Sequence, residues 1–308
     1  MRVLVTGSAG FIGTHLCAAL RARGDEVVGC DAREGCDLLD SGEFITERFG
    51  DDRGYWCGGW YKKIGPPHPF DGVVHLAAIN GTRNFYERPA DVLRVGLIGT
   101  ANVIRWWGGR DAGKPGFFVL ASSSEVYAEP TEIPTREHVP LVVPDVRNPR
   151  YSYSVSKIAG EAMVHHWLKD RPRAMIVRPH NVYGPGMSED HVIGRLLAAR
   201  PGVIVDMQGT GGETRAFCHV SDAVAGILAV VDRGEHGETY NVGDEAGLQT
   251  MAQLAWEVSK MRGLMEFSWS DKRSVGSPRL RCPDTTRLRA LGWEPRVKLE
   301  DGLREMLA

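Results

Sequence analysis

The sequence predicts an α/β protein built on a doubly wound parallel sheet, and three observations carry that reading. Short apolar runs rich in β-branched residues recur from Val3 to Val177. They lack polar alternation, as strands covered on both faces do. Longer segments with helical spacing lie between them, supplying the crossover that a parallel pair requires.

In chain order, Val3-Leu4-Val5 is the first strand and Ile12 to Arg23 the helix after it. Glu26-Val27-Val28-Gly29, Gly72 to Leu76, Gly116 to Leu120 and Met175-Ile176-Val177 are the next four strands. Pro89 to Trp107 and Ser152 to Leu168 read as amphipathic helices between them. From about Pro179 the texture changes, and Gly184-Pro185-Gly186, Gly209 to Gly212 and Gly234 to Gly237 punctuate it as turns. Residues 1–178 are therefore expected to form mainly the body that carries the sheet. Residues 179–308 are expected to be a smaller, discontinuous region without an independent core, returning some segments to the sheet. Asp51 to Pro69, rich in Trp, Gly and Pro, is expected as a surface loop, with a lid over a ligand as the alternative.

Composition narrows the function classes. The chain has 308 residues, 37 Lys+Arg against 39 Asp+Glu, 43% hydrophobic and 25% charged residues. These are ordinary globular proportions, and near-neutral charge without a basic run argues against a nucleic-acid surface. No apolar stretch approaches the ~18 residues of a membrane span, and strand-like sequence from Arg2 leaves no room for a signal peptide. Six scattered cysteines without a C-x2-C pair read as reduced thiols of a cytoplasmic enzyme, with no metal site.

The first strand runs into Thr6-Gly7-Ser8-Ala9-Gly10-Phe11-Ile12-Gly13 and then a helix. Glycines at 7, 10 and 13 let a turn close and let a pyrophosphate approach the helix amides, whose dipole favours an anion. This is a variant of the Rossmann fingerprint, and strand before and helix after give it weight. Asp31 ends the second strand, where a carboxylate accepts from the adenosine ribose hydroxyls and repels a 2′-phosphate, favouring NAD. Arg33, two residues on, keeps NADP from being excluded.

Tyr153 and Lys157 are i and i+4 on one helical face. A phenol near pKa ~10 is a poor base at neutral pH, and a nearby ammonium is expected to lower it. The strand ending at Ala121 leads into Ser122-Ser123-Ser124-Glu125-Val126-Tyr127, at the sheet edge where ligands bind.

These motifs together resemble the extended short-chain dehydrogenase/reductase family, in its NAD-dependent nucleotide-sugar epimerase/dehydratase branch. The resemblance also covers His75-Leu76-Ala77-Ala78, Arg178 to Pro185, Thr214 to Phe217 and Leu291-Gly292-Trp293, so it spans almost the whole chain. It implies Ser123 as the catalytic hydroxyl, Tyr153 as general base and Lys157 as its partner on the nicotinamide ribose. It further implies that Gly7, Gly10, Phe11, Ile12 and Gly13 hold the pyrophosphate and that Asp37 and Leu38 touch adenine. Leu76, Ala77, Ala78 and Pro179 would lie along the cofactor, and Ser124, Asn181, Arg215 and Arg281 would hold a nucleotide-sugar substrate. The family's intersubunit four-helix bundle implies a homodimer, with Trp106 and Trp107 on one helix and His165, His166 and Trp167 on the other. Two positions depart from the pattern: Gly96 replaces a usual Asn, and Ala128 a usual Gly.

The chemistry implied is transient oxidation of a sugar C4 by NAD. Glu125 bears on the second step, because a ketone at C4 acidifies C5–H and a carboxylate there could remove that proton. The expectation leans to Glu-assisted 4,6-dehydration or decarboxylation over 4-epimerisation. A plain carbonyl reductase using NADP and a non-catalytic NAD sensor are the rivals from other classes.

Overall fold

The computed structural model describes all residues except 41–42, 46–54, 58, 68, 110–112, 114, 172, 201, 203, 264–265, 271–275 and 308. Six parallel strands form the central sheet: β1 (Arg2–Thr6), β2 (Glu26–Cys30), β3 (Gly72–His75), β4 (Phe117–Ala121), β5 (Ala174–Pro179) and β6 (Thr239–Val242). Their spatial order is β6-β5-β4-β3-β1-β2. The chain leaves β1 for β2 on one side and crosses to β3 on the other. That reversal opens a crevice beyond the carboxyl ends of β1 and β3, where ligands bind in such sheets.

Side-chain alternation divides the core into two layers. Val3 and Val5 of β1 are buried with Leu16 and Leu20 of α1 (Phe11–Ala22) and Ile227, while Leu4 joins Val73, Phe118, Ile176 and Trp106. Each face of the pleat thus has its own apolar cover, which is why the strands read as uninterrupted apolar runs. The helix expected over Pro89 to Trp107 is present as α2 (Pro89–Arg94) and α3 (Thr100–Gly108), joined by a π-type stretch, Val95–Gly99. A Cβ at Gly96 would stand 2.4 Å from the Ser156 hydroxyl of α4 (Ser152–Trp167). Close helix approach is the physical reason for glycine at that departure from the family pattern.

Four expectations require correction. Trp106 and Trp107 are 1% exposed and buried within the chain, Trp106 packing on Trp60 at 5.4 Å between ring centroids, so neither offers an interface side chain. Trp167, 46% exposed, does face outward, beside the Arg105 guanidinium. The Asp51 to Pro69 segment is not simply surface loop: Tyr55–Cys57 pairs with Glu43–Ile45, and Trp60 is anchored in the core. Parts of it, including 51–54, lie outside the described residues.

The region after Pro179 has an apolar cluster of its own, containing Tyr183, Ile193, Leu196, Phe217, Leu254 and Leu303. It also sends β6 and α5 (Val220–Arg233) back to the sheet; β6 is a strand the sequence reading missed. Finally, Cys30 and Cys36 form a disulfide, with Cα atoms 5.2 Å apart. The 3₁₀ turn Ala32–Glu34 and left-handed Gly35 (φ 73°) fold the chain back and bring them together. Cys17, Cys218 and Cys282 are buried free thiols, and the Cys57 side chain lies outside those described. No helix among the described residues is long and apolar enough to cross a membrane, and none of their His, Cys, Asp and Glu form a metal-binding group.

Candidate active site

Helix α1 begins at Phe11 with Gly10 as its N-cap, and no side chain caps its first amides. The turn before it is tight. A Cβ at Gly13 would lie 2.0 Å from the Gly7 carbonyl, and one at Gly7 (φ 70°) 2.8 Å from the Ala77 nitrogen. Glycine is required at both positions by close backbone approach. Uncapped amides at the start of a twelve-residue helix suit a pyrophosphate. The cleft over this turn is lined by Gly7, Gly10, Phe11, Ile12, Gly13, Leu76, Ala78, Ser122, Tyr153, Lys157 and Pro179. The buried Ser122 hydroxyl finds no partner among the described residues, a donor and acceptor left for a ligand. These residues fit a dinucleotide.

Asp31, the residue after β2, is 8% exposed, and its carboxyl is held below the usual range. Burial opposes that shift, and hydrogen bonds from Arg33 outweigh it. Exposed Asp37 accepts from the Leu39 amide, and the Leu38 side chain is buried in the core against Gly99. Ala77 is outside the cleft lining and donates its amide to Thr6. Beneath the glycine turn, buried His75 bridges Thr6 (2.6 Å) and Thr100 (3.0 Å), and burial pushes its pKa down to about 3.

At the carboxyl end of β4 the chain turns through Ser123, whose hydroxyl accepts from the Glu125 amide and interacts with the Tyr153 phenol. Tyr153 and Lys157 do share a face of α4. Yet Lys157 Nζ donates to the Ala121 carbonyl at 2.6 Å and stands 5.6 Å from the Tyr153 ring centre. Burial, then the charge of Glu125, raises the Tyr153 pKa, so the ammonium does not by itself bring the phenol down as expected. Burial lowers Lys157 to about 8.

Glu125 is the centre of a charge cluster. Its Oε1 accepts from Arg281 Nη1 at 2.9 Å and Arg150 Nη2 at 3.2 Å. Burial resists, but Arg281 and then Arg150 take its pKa down to about 2, and Arg215 adds to the effect. Arg281 keeps Nε and Nη2 buried without a hydrogen-bond partner among the described residues. Arg215 bonds to Ser277, and burial with the neighbouring Arg281 pulls its pKa down. Ser124, Asn181 and Arg281 line the cleft beside Tyr153. Asn181, at φ 38°, donates to the Ala216 carbonyl. Arg215 opens onto an adjoining cleft that Asn181, Glu125 and Arg281 share.

Arg150 and Phe85 escaped the sequence reading. Arg150 also reaches Thr82 and lies over the Phe85 ring, which in turn stacks on Tyr153. Arg150 precedes Tyr153 by three residues, one helical turn, and that spacing was the available signal. Phe85 had none, because only the fold brings Thr82–Glu87 to α4.

Residues 3–243 match the NAD dependent epimerase/dehydratase family. The dTDP-4-dehydro-6-deoxy-D-allose reductase of Streptomyces bikiniensis is 33% identical over 98% of this chain and 94% of its own length. UDP-glucuronic acid decarboxylase 1 of Xenopus tropicalis is 29% identical over 99% of this chain and 71% of its own. A UDP-glucose 4-epimerase from Thermus thermophilus, solved with NAD, superposes with a TM-score of 0.80 at 26% identity, covering 100% of this chain and 98% of its own. Three relatives, three reactions and one shared scaffold define the level at which identity is settled: the chain is an enzyme of the NAD-dependent epimerase/dehydratase family.

Proposed function

We propose that the enzyme oxidises C4 of a nucleotide-linked hexuronate and decarboxylates the resulting β-keto acid. The observation that carries this reading is Arg281. Beside a carboxylate already shared with Arg150, it retains two buried donors without a partner among the described residues. Three guanidiniums around Glu125 leave the site in excess positive charge, which suits an anionic substituent at C5 and a diphosphate better than a neutral alcohol.

Tyr153 takes the C4 hydroxyl proton, with Ser123 donating to the same oxygen. NAD, when bound, accepts the C4 hydride and returns it, so none is consumed. With a ketone at C4 the C5–C6 bond breaks and its electron pair enters the enol system. CO₂ leaves, a proton adds at C5, and Tyr153 returns its proton as C4 is reduced. The guanidiniums orient the carboxylate that departs. Glu125, held at about 2 by Arg281 and Arg150, is an ionised and fully paired carboxylate. The donors left over on Arg281 support a carboxylate-bearing substrate over a neutral hexose.

The remaining roles are part of the same proposal. Asp31 and the glycine turn hold NAD, Ser124 and Asn181 face the sugar, and Arg215 with Arg281 serves the diphosphate. Residues 1–178 act mainly as the cofactor body and 179–308 mainly as the substrate body, in a cytoplasmic homodimer formed through α3 and α4. Exposed Ile98, on the π-type stretch before α3, and Trp167 of α4 support that face. Incubation with UDP-, GDP- and TDP-linked hexuronates and hexoses tests the reading. Turnover of a hexuronate with CO₂ release is expected; turnover confined to neutral hexoses contradicts it.

A further inference from the structure

Cys30 and Cys36 enclose the turn that presents Asp31. Cys30 ends β2, and its carbonyl accepts from the Gly7 amide at 2.7 Å. Cys36 donates its amide to the Asp31 carbonyl at 3.0 Å, and the Asp31 carboxylate accepts from the Ala9 amide at 3.2 Å. The disulfide thus stands beside both contacts that seat this turn on the glycine turn. The enclosed residues, Ala32 to Gly35, are exposed, and the 3₁₀ turn among them buries no side chain. What fixes the turn is its two ends, each cysteine 1% exposed and packed in the cluster that holds Leu38 and Trp60. A cross-link between those ends removes conformations in which Asp31 leaves the glycine turn. Such preorganisation favours a ligand bound across the two. The cover is slight: a five-residue helix, Trp60–Ile64, whose Lys63 ammonium donates to the Glu34 carbonyl of the same turn. A short helix and an exposed turn open locally without unfolding the sheet, and that opening admits a reductant.

We propose that the Cys30–Cys36 pair is a redox switch on the dinucleotide site: as a disulfide it holds the Asp31 turn ready for the cofactor, and as two thiols it releases that turn and weakens binding. The reductant is a dithiol. One of its thiolates attacks a sulfur of the pair, the Cys30–Cys36 bond breaks and a mixed disulfide forms. The second thiolate then closes the reductant's own disulfide. Two electrons pass to the protein, and its two cysteines take up the two protons as thiols. In the cytoplasmic setting proposed above, a disulfide is usually transient and redox-sensing. The coupling is reciprocal: a disulfide that tightens NAD must itself be favoured by bound NAD, by the same factor. The inference rests on the placement of NAD over Asp31 and the glycine turn, and not on the reaction at C4.

Titration calorimetry of NAD against nucleotide-stripped protein, without sugar substrate, tests this. The forms compared are oxidised wild type, wild type reduced with dithiothreitol, and Cys30→Ala/Cys36→Ala with and without dithiothreitol. Alkylation and peptide mass assign the state of the pair in each. Reduction is expected to weaken NAD by about tenfold, as the cost of ordering a short turn on binding allows. The double variant should match the reduced form and ignore dithiothreitol, which separates this pair from the other cysteines. In a dithiothreitol redox buffer, NAD should shift the thiol-to-disulfide ratio by the same factor toward the disulfide. Equal NAD affinity of the oxidised and reduced forms, a dithiothreitol effect that persists in the double variant, or a pair found as thiols in the oxidised protein would overturn the switch. Absence of NAD binding by both forms would overturn the placement of the cofactor, and the switch with it.

Discussion

Phe85 lies stacked on Tyr153, ring centroids 5.1 Å apart and planes 16° from parallel. The Arg150 guanidinium stands 5.5 Å from the centre of that same Phe85 ring while donating to Glu125. The phenol and the carboxylate, on different elements, are thus positioned through one buried aromatic side chain. Phe85→Leu should cost only ~1 kcal/mol of stability but lower kcat by roughly 10- to 100-fold, as small misplacements of reacting groups do. Steady-state kinetics with parallel NAD titration checks this, since NAD affinity should not change.

Tyr153→Phe removes the phenol and keeps the ring on Phe85. Loss of a general base typically costs ~10²–10⁴-fold, so NADH formation in a single turnover should nearly vanish while NAD still binds. Near-normal turnover would place the base elsewhere.

Ala128 adopts φ 49°, ψ −107°, a region that penalises a Cβ, at a position where the resemblance implies glycine. Ala128→Gly relieves that strain while adding unfolded-state entropy. The net expectation is stabilisation of roughly 1 kcal/mol, read by urea denaturation. Destabilisation would show that the alanine is unstrained.

His75 and His180 are both fully buried, and burial lowers each to about 3. Between pH 6.5 and about 3 the unfolded chain binds protons that the folded chain refuses. Stability therefore falls as the pH drops through that window, and above it these groups contribute no pH dependence. Each histidine adds up to about 1.4 kcal/mol per pH unit to the slope. His180→Gln should reduce the slope by one such increment in denaturation curves taken across this range.

The features legible in the sequence were those carried by local pattern. β1 to β5 announced themselves because both faces are covered, and the turn from Gly7 to Gly13 because close approach admits no side chain. Tyr153, Lys157 and Glu125 drew attention because each stands at a strand end or on one helical face, whereas Ser123 was singled out only by the resemblance, and the cleft brings all four together. Long-range placement was not legible. Trp106 and Trp107 carry the same helical periodicity whether they face a partner or Trp60. The Cys30–Cys36 pair, six residues apart, depended on a left-handed Gly35 that no periodicity announces.

The most direct test of decarboxylation traces the atoms at C5. With an accepted NDP-sugar substrate in D₂O, product is analysed by NMR and mass spectrometry while CO₂ is measured. One solvent deuterium at C5 and one CO₂ per product are expected. Deuterium at C5 without CO₂ would contradict decarboxylation in favour of dehydration. Product carrying no deuterium and releasing no CO₂ would make the enzyme a 4-epimerase and Glu125 a structural carboxylate.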